Sequence, residues 1–173
     1  MLFAHFATAT PASFHNWRIQ QLFSNADGSI QFIVLTEQFG DNGEPFLTGH
    51  AITSTQGRTQ YSFVFLQELP SSNMANRSFL IATPGFASLG LIPPDYTMRA
   101  GFLFIDGETV NYAFVDQATY AALPTDGINA LYTDGTTRPN HRFVTSQAER
   151  QKMIDQGFVP EGAGIGVGMC VPG

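Results

Sequence analysis

Ile30-Gln31-Phe32-Ile33-Val34-Leu35-Thr36-Glu37 is the stretch on which the fold turns. Its apolar residues run almost without a break. That is the pattern of a short strand buried on both faces at the centre of a sheet. Upstream, Trp17 to Phe23 supplies a second candidate strand. Between the two, Asn25-Ala26-Asp27-Gly28 supplies a hairpin turn, because Asn, Asp and Gly tolerate the backbone conformations of tight turns.

The same rhythm continues outward. Turn dipeptides recur at Asp27-Gly28, Asn42-Gly43, Gln56-Gly57, Asp106-Gly107, Asp126-Gly127 and Asp134-Gly135. Between them lie runs rich in Phe, Ile, Val, Thr and Tyr, which predict further strands at Phe46–Thr53, Tyr61–Gln67, Ser78–Ala82, Gly101–Ile105 and Thr109–Val115. Short strands at such spacing define a mainly β chain, a sandwich or barrel. The Pro- and Gly-bounded loop 84–98 has room for one helical turn around Phe86–Leu89. The whole of Phe14 to Leu123 reads as one β-sandwich.

After Pro124 large apolar residues thin out. Ser146-Gln147-Ala148-Glu149 is a capping box, in which the serine hydroxyl and the glutamate satisfy each other's end of the first helical turn. Met153 and Ile154 give that helix an apolar side, and Gly157 a stop. Phe158-Val159 and Ile165–Val171 read as short strands. Residues 124–173 therefore form a small β-α-β appendage carrying the only substantial helix.

Composition narrows the function classes. The 173 residues carry 8 Lys and Arg against 14 Asp and Glu, a net charge of −6. Phosphate backbones demand clustered cations, so nucleic acid is not the expected partner, and neither is an anionic membrane. No run approaches the roughly 20 apolar residues of a membrane-spanning helix, so membrane insertion is not expected. A single cysteine, Cys170, leaves no internal disulfide framework and no multi-cysteine zinc site. Residues 1–14 read as an N-terminal tail, in which Met1–Ser13 is apolar and small-residue-rich with Ala7-Thr8-Ala9 like a signal-peptidase site, so the tail is a candidate remnant of a signal peptide.

Two resemblances follow from longer patterns. Ile19-Gln20-Gln21-Leu22-Phe23-Ser24-Asn25-Ala26-Asp27-Gly28, Gln31–Leu35, Phe46-Leu47-Thr48-Gly49-His50-Ala51-Ile52, Arg77–Ile81 and Gly107–Tyr112 together resemble a bacterial branch of lamin-tail-like domains over about 15–123. The resemblance implies an immunoglobulin-like antiparallel β-sandwich and a non-catalytic module of secreted or surface proteins. Asn140-His141-Arg142-Phe143-Val144-Thr145-Ser146, Arg150, Met153, Gly157-Phe158, Glu161-Gly162 and Val167–Pro172 are similar to one copy of a short repeat of unknown function at the C-terminal ends of bacterial secreted proteins. Both imply an extracellular or cell-surface location.

Candidate chemistry is sparse. His5, His15, His50 and His141 are scattered without metal-ligand spacing. His141, Arg142 and Phe143 stand together in the repeat-like motif and form the candidate ligand-binding set, offering hydrogen bonds and an aromatic face. Asp41, Asn42 and Glu44 offer oxygen ligands on one loop, the donor type calcium takes, although an ordinary Asn-Gly turn explains them without metal. No other cofactor is expected. Ser88 lacks the glycine two positions before it that a nucleophile elbow needs. Glu37, Glu68, Asp106, Glu108 and Asp116 are the carboxylates from which a glycosidase pair would be drawn. Trp17, Tyr61, Tyr96, Tyr112, Tyr120 and Tyr132 are candidates for a sugar-stacking surface. No catalytic residue is assigned. The leading expectation is a non-catalytic secreted or surface binding or adhesion module for a glycan or protein ligand. The alternatives are a small secreted hydrolase using loop carboxylates, and a structural sandwich that self-associates through an exposed strand edge.

Overall fold

The computed structural model describes residues 13–125, 130–132, 137–138, 142–143, 151, 155, 158–161 and 169–172. In chain order the elements are β1 (Trp17–Ser24), β2 (Gln31–Glu37), β3 (Ala51–Gln56), β4 (Thr59–Val64), β5 (Ser78–Ala82), α1 (Pro84–Ala87), β6 (Tyr96–Thr97), β7 (Glu108–Tyr112), β8 (Asp116–Tyr120), β9 (Ala130–Tyr132), β10 (Thr137–Arg138), β11 (Arg142–Phe143), β12 (Phe158–Glu161) and β13 (Met169–Pro172). They make a mainly β protein. One sheet runs β10-β9-β1-β2-β5-β6, a second β4-β3-β7-β8, and β11-β13-β12 form a third. Neighbouring strands are antiparallel except for the short β5–β6 pair.

The first two sheets close over one core. Trp17, Ile19, Leu22, Ile33, Leu35, Phe79 and Ile81 come from the first sheet, and Ile52, Val110 and Tyr112 from the second. An edge-to-face pair knits the two layers, Phe65 just past β4 meeting Tyr96 of β6 at 5.0 Å, and within the first sheet Trp17 meets Phe79 edge-on at 4.7 Å.

β2 sits at the centre of its sheet because both its faces are apolar. Ile33 and Leu35 enter the main core, whereas Phe32, with Val34 beside it, joins Phe23, Ala82 and Phe86 in a second cluster. β1 feeds both clusters by a change of phase. The β1–β2 register slips between Ile19 and Gln21, so Trp17 and Ile19 face the core before the bulge and Leu22 after it. Phe23 then turns to the outer face and stacks on Phe32 at 4.9 Å.

The single turn of α1 covers that outer face with Phe86. Thr83 caps it and Pro84 opens it. The Thr83 hydroxyl also accepts the Gln31 N–H and donates to Ser29 O, which pins the turn to the β1–β2 hairpin. The approach is so close that a Cβ on Gly85 would stand 2.3 Å from Ser29 O. Only glycine fits there.

Several predicted strands move at their boundaries. The stretch 46–50 is irregular backbone, with His50 N bonded to Leu47 O, and β3 begins at Ala51. Residues 101–105 form no strand, because their backbone is claimed by side chains. Gln31 bonds Leu103 through both ends of its amide, at 2.7 and 3.0 Å, and the Ser54 hydroxyl donates to Phe102 O at 2.6 Å. β8 and β6 are strands the sequence pattern did not predict. β9 and β10 lie beyond residue 123 and extend the first sheet past β1. The predicted helix of 146–157 falls mostly outside the described residues; Gln151 and Asp155 are helical and share a 2.8 Å hydrogen bond. Residues 1–12 are likewise outside. Among the described residues no helix is long and apolar enough to cross a membrane.

Candidate functional site

Where β5 meets the loop that leads into it, the surface opens into a cleft of about 260 Å³. Its floor is apolar: Trp17, Leu69, Met74 and Phe79. Its rim is polar: Ser71, Asn73, Arg77, Ser78 and Asp95. The size suits one sugar ring or one amino-acid side chain rather than a larger cofactor, which calls for several hundred Å³.

The loop 71–77 that forms the rim has no regular structure of its own. It is held by the neighbouring loop, and the buried Glu37 at the end of β2 is the main anchor. Its carboxylate accepts four backbone N–H groups: Phe39 at 2.8 Å, Gly40 at 2.9 Å, Asp41 at 3.2 Å and Asn76 at 2.9 Å. Burial alone pushes this carboxyl up. The four amide donors outweigh burial and hold it below its ordinary value. Asn42 continues the brace, its side-chain oxygen accepting Met74 N at 2.9 Å and Ala75 N at 3.2 Å. Gly43 N donates to Ser72 O at 2.8 Å.

The proposed calcium ligands therefore have backbone and side-chain partners. Asn42 fixes the cleft loop. Glu44 accepts the Asn16 N–H at 3.1 Å, and Asp41 accepts the Asn16 amide at 3.0 Å. The Glu44 carbonyl also receives the Trp17 indole N–H at 2.8 Å, fixing the aromatic edge beneath the cleft. Among the described residues no three His, Cys, Asp or Glu side chains gather as a metal group would.

The rim offers hydrogen bonding and one cation. Arg77 is exposed, and its guanidinium makes no hydrogen bond or ion pair with a described residue. Ser71 accepts Asn73 N, Ser78 shares a 2.7 Å bond with Thr36, and Asp95 accepts Leu80 N. Neither serine bonds an imidazole or carboxylate base among the described residues. The arrangement can bind and orient a polar group over an apolar floor.

A second polar cluster lies in the core. Glu108 is shared between the hydroxyls of Ser54 and Tyr120. Ser54 also reaches Phe102 O at 2.6 Å, and Tyr120 reaches Phe104 O at 2.9 Å. Each hydroxyl has one proton and two partners. An ionised carboxylate leaves two protons for four contacts, whereas a neutral Glu108 supplies a third. Burial agrees with that count and raises the Glu108 carboxyl; the Tyr120 phenol is raised as well, by burial first and then by Glu108. The cluster faces protein on all sides and is a structural network rather than a site.

The other candidates are dispersed. His141 lies outside the described residues. Arg142 and Phe143 form β11 and pair with Cys170 and Met169 of β13; their side chains fall outside the description. Glu68 accepts Thr48 N, and Asp116 accepts Ile19 N, so these two carboxylates, like Glu37 and Glu108, each hold a different part of the chain. Ser88 ends the α1 turn and donates to Pro84 O. Of the aromatic candidates, Trp17, Tyr96, Tyr112 and Tyr120 are buried, and Tyr61 is stacked on Phe104 at 4.9 Å. Sequence reasoning passed over Leu69, Met74, Arg77 and Asp95. The available signal was Arg77, one of only 8 basic residues, just after the turn-rich Pro70-Ser71-Ser72-Asn73.

Compared with known families, curated proteins and solved structures, the chain matches none.

Proposed function

We propose that this chain is a non-catalytic binding module, exported or displayed at the cell surface, that takes an acidic sugar residue of a glycan in the cleft over Trp17, Leu69, Met74 and Phe79. The observation that carries the reading is Arg77, whose guanidinium has no hydrogen bond or ion pair among the described residues, beside an apolar floor on a braced loop. A guanidinium recognises a carboxylate through paired donors, and the rim hydroxyls and amide of Ser71, Asn73 and Ser78 suit sugar hydroxyls. The lamin-tail-like pattern and the C-terminal repeat pattern support the location outside the cell. The carboxylates engaged with backbone amides support a binding role over a hydrolytic one.

An array of neutral, uronic and sialylated glycans, probed with and without a calcium chelator, tests the reading. Binding restricted to acidic glycans, and weakened by about tenfold to a hundredfold in Arg77→Ala, is the expected result. Equal binding by wild type and Arg77→Ala removes the cleft as the site. Loss of binding in chelator moves attention to Asp41, Asn42 and Glu44.

A further inference from the structure

β4 is the open edge of the second sheet. It pairs with β3 along its whole length, from Ala51↔Val64 to Gln56↔Thr59, with no bulge. Among the described residues nothing pairs with its other side. The opposite edge strand, β8, has a side-chain link to the first sheet, because Asp116 accepts the Ile19 N–H.

The ladder shows which groups β4 leaves unpaired. Phe65 N donates to His50 O at 2.9 Å, and Ala113 N donates to Ala51 O at 2.9 Å. Phe65, Phe63 and Tyr61 therefore direct their backbone toward β3. By the alternation of an antiparallel pair, Gln60, Ser62 and Val64 direct their N–H and C=O groups outward. Sheet proteins blunt such edges with lysine, proline, bulges or a covering segment. Thr59-Gln60-Tyr61-Ser62-Phe63-Val64 has no charge, no proline and no bulge.

We propose that β4 pairs antiparallel with β4 of a second copy of this chain, about a two-fold axis at Ser62. That register is self-complementary. It sets Gln60 across from Val64 of the second copy, each outward pair exchanging two backbone hydrogen bonds. It also sets Tyr61 across from Phe63 of the second copy, and Phe63 across from its Tyr61. These fall in the closer, non-hydrogen-bonded positions, where aromatic pairs stabilise a sheet. Both rings are partly exposed and held by their own chain: Tyr61 stacks on Phe104 at 4.9 Å with the Arg99 guanidinium 4.1 Å from its ring, and Phe63 lies edge-on to Phe65 at 5.3 Å. Leu66, 85% exposed just past the strand, comes alongside Arg58 of the second copy and packs on its aliphatic stem. The outer faces also match. Ser62-Thr53-Asn111-Gln117 and Gln60-Thr55-Thr109-Thr119 form two uncharged rows across the sheet, so no like charges meet when the sheets join. A heterologous strand has no such enforced match, which favours a second copy as the occupant. The surface uses none of the cleft's lining residues.

Sedimentation velocity of the full chain over a wide concentration range tests the pairing. Wild type is expected to pass from the 18.8 kDa monomer to a dimer as concentration rises. Ser62→Lys and Ser62→Glu each place like charges face to face on the axis and should raise the dimer dissociation constant by at least about tenfold. An equimolar mixture of the two variants should dimerise again. Far-ultraviolet circular dichroism and melting temperature confirm that each variant keeps the fold, since Ser62 is exposed. A wild type that stays monomeric, variants that dimerise alone, or a mixture that stays monomeric each overturns the proposal.

Discussion

The carboxylate of Asp116, at the start of β8, accepts the backbone N–H of Ile19 in β1 at 2.8 Å and so joins the two sheets. The contact falls where the β1–β2 register slips, between Ile19 and Gln21. β9 pairs with β1 only at Gln21 and Leu22, which leaves the Ile19 N–H to Asp116. The bulge that turns Leu22 into the core is thus coupled to the edge of the other sheet.

Asp116→Ala should destabilise the protein by about 1–2 kcal/mol, the cost of a partly buried N–H left without its acceptor. Asp116→Asn keeps an acceptor oxygen and should lose less than about 1 kcal/mol. Urea unfolding of the three proteins measures this. Equal stability of the Ala and Asn variants would sink the idea that the hydrogen bond, rather than the residue's bulk, matters.

Glu108 gives a pH-dependent expectation. Its folded-state pKa is raised above 4.5 by burial, so the folded protein holds a proton there that the unfolded chain releases. The stabilisation is complete below about pH 4.5 and declines as pH rises through the raised value. Glu108→Gln keeps a donor for Ser54 and an acceptor for Tyr120 without titrating. Its melting temperature should therefore gain on the wild type as pH rises from 4 toward neutrality, on the order of a few degrees. Glu108→Ala takes the shared partner from the Ser54 and Tyr120 hydroxyls and should cost about 3 kcal/mol in acid, less as pH rises toward neutrality. A constant offset between Gln variant and wild type would show that Glu108 ionises alike in both states.

Glu37 has the opposite sign. Its four amide donors hold the carboxyl below 4.5, so its contribution is present above that value and is lost as pH falls through the lowered one. Glu37→Gln turns an amino group against N–H donors and should cost about 2–4 kcal/mol near neutrality, less in acid. Because Asn76 is one of those donors, the cleft loop should loosen too. Hydrogen exchange at Phe39, Gly40, Asp41 and Asn76 should speed up together. Unchanged exchange at Asn76 would disconnect Glu37 from the cleft.

The sequence carried the sandwich but not the cleft, for a physical reason. Ser78–Ala82 and Ile30–Glu37 are legible because strands buried on both faces leave continuous apolar runs, and β5 falls at its predicted residues. Asp116-Gln117-Ala118-Thr119-Tyr120 is illegible because an edge strand buries one face, here filled by the small Ala118 and the hydroxyl-bearing Tyr120. Gly101–Ile105 misleads in the other direction. Phe102 and Leu103 are as apolar as a strand, yet Gln31 and Ser54 take their backbone groups from far along the chain. The cleft depends on the same kind of long-range capture. Asn42 reads as a turn residue, and nothing local shows that its oxygen will bind Met74 and Ala75.

The β7–β8 hairpin turns through Ala113 and Phe114, both with positive φ, 49° and 59°. Val115 N donates back to Tyr112 O at 2.8 Å, the pattern of a turn that favours Asn-Gly. A phenylalanine in that conformation is strained, and its ring is 98% exposed, so no core packing offsets the strain. Phe114→Gly should raise stability by about 1 kcal/mol. Phe114→Ala removes the ring but keeps the Cβ, and with it the strained backbone, so it should change stability by less than about 0.5 kcal/mol. Comparing the two by thermal unfolding separates backbone from side chain. A Gly variant no more stable than the Ala variant would mean that the turn is unstrained, or that the ring contributes what the backbone loses.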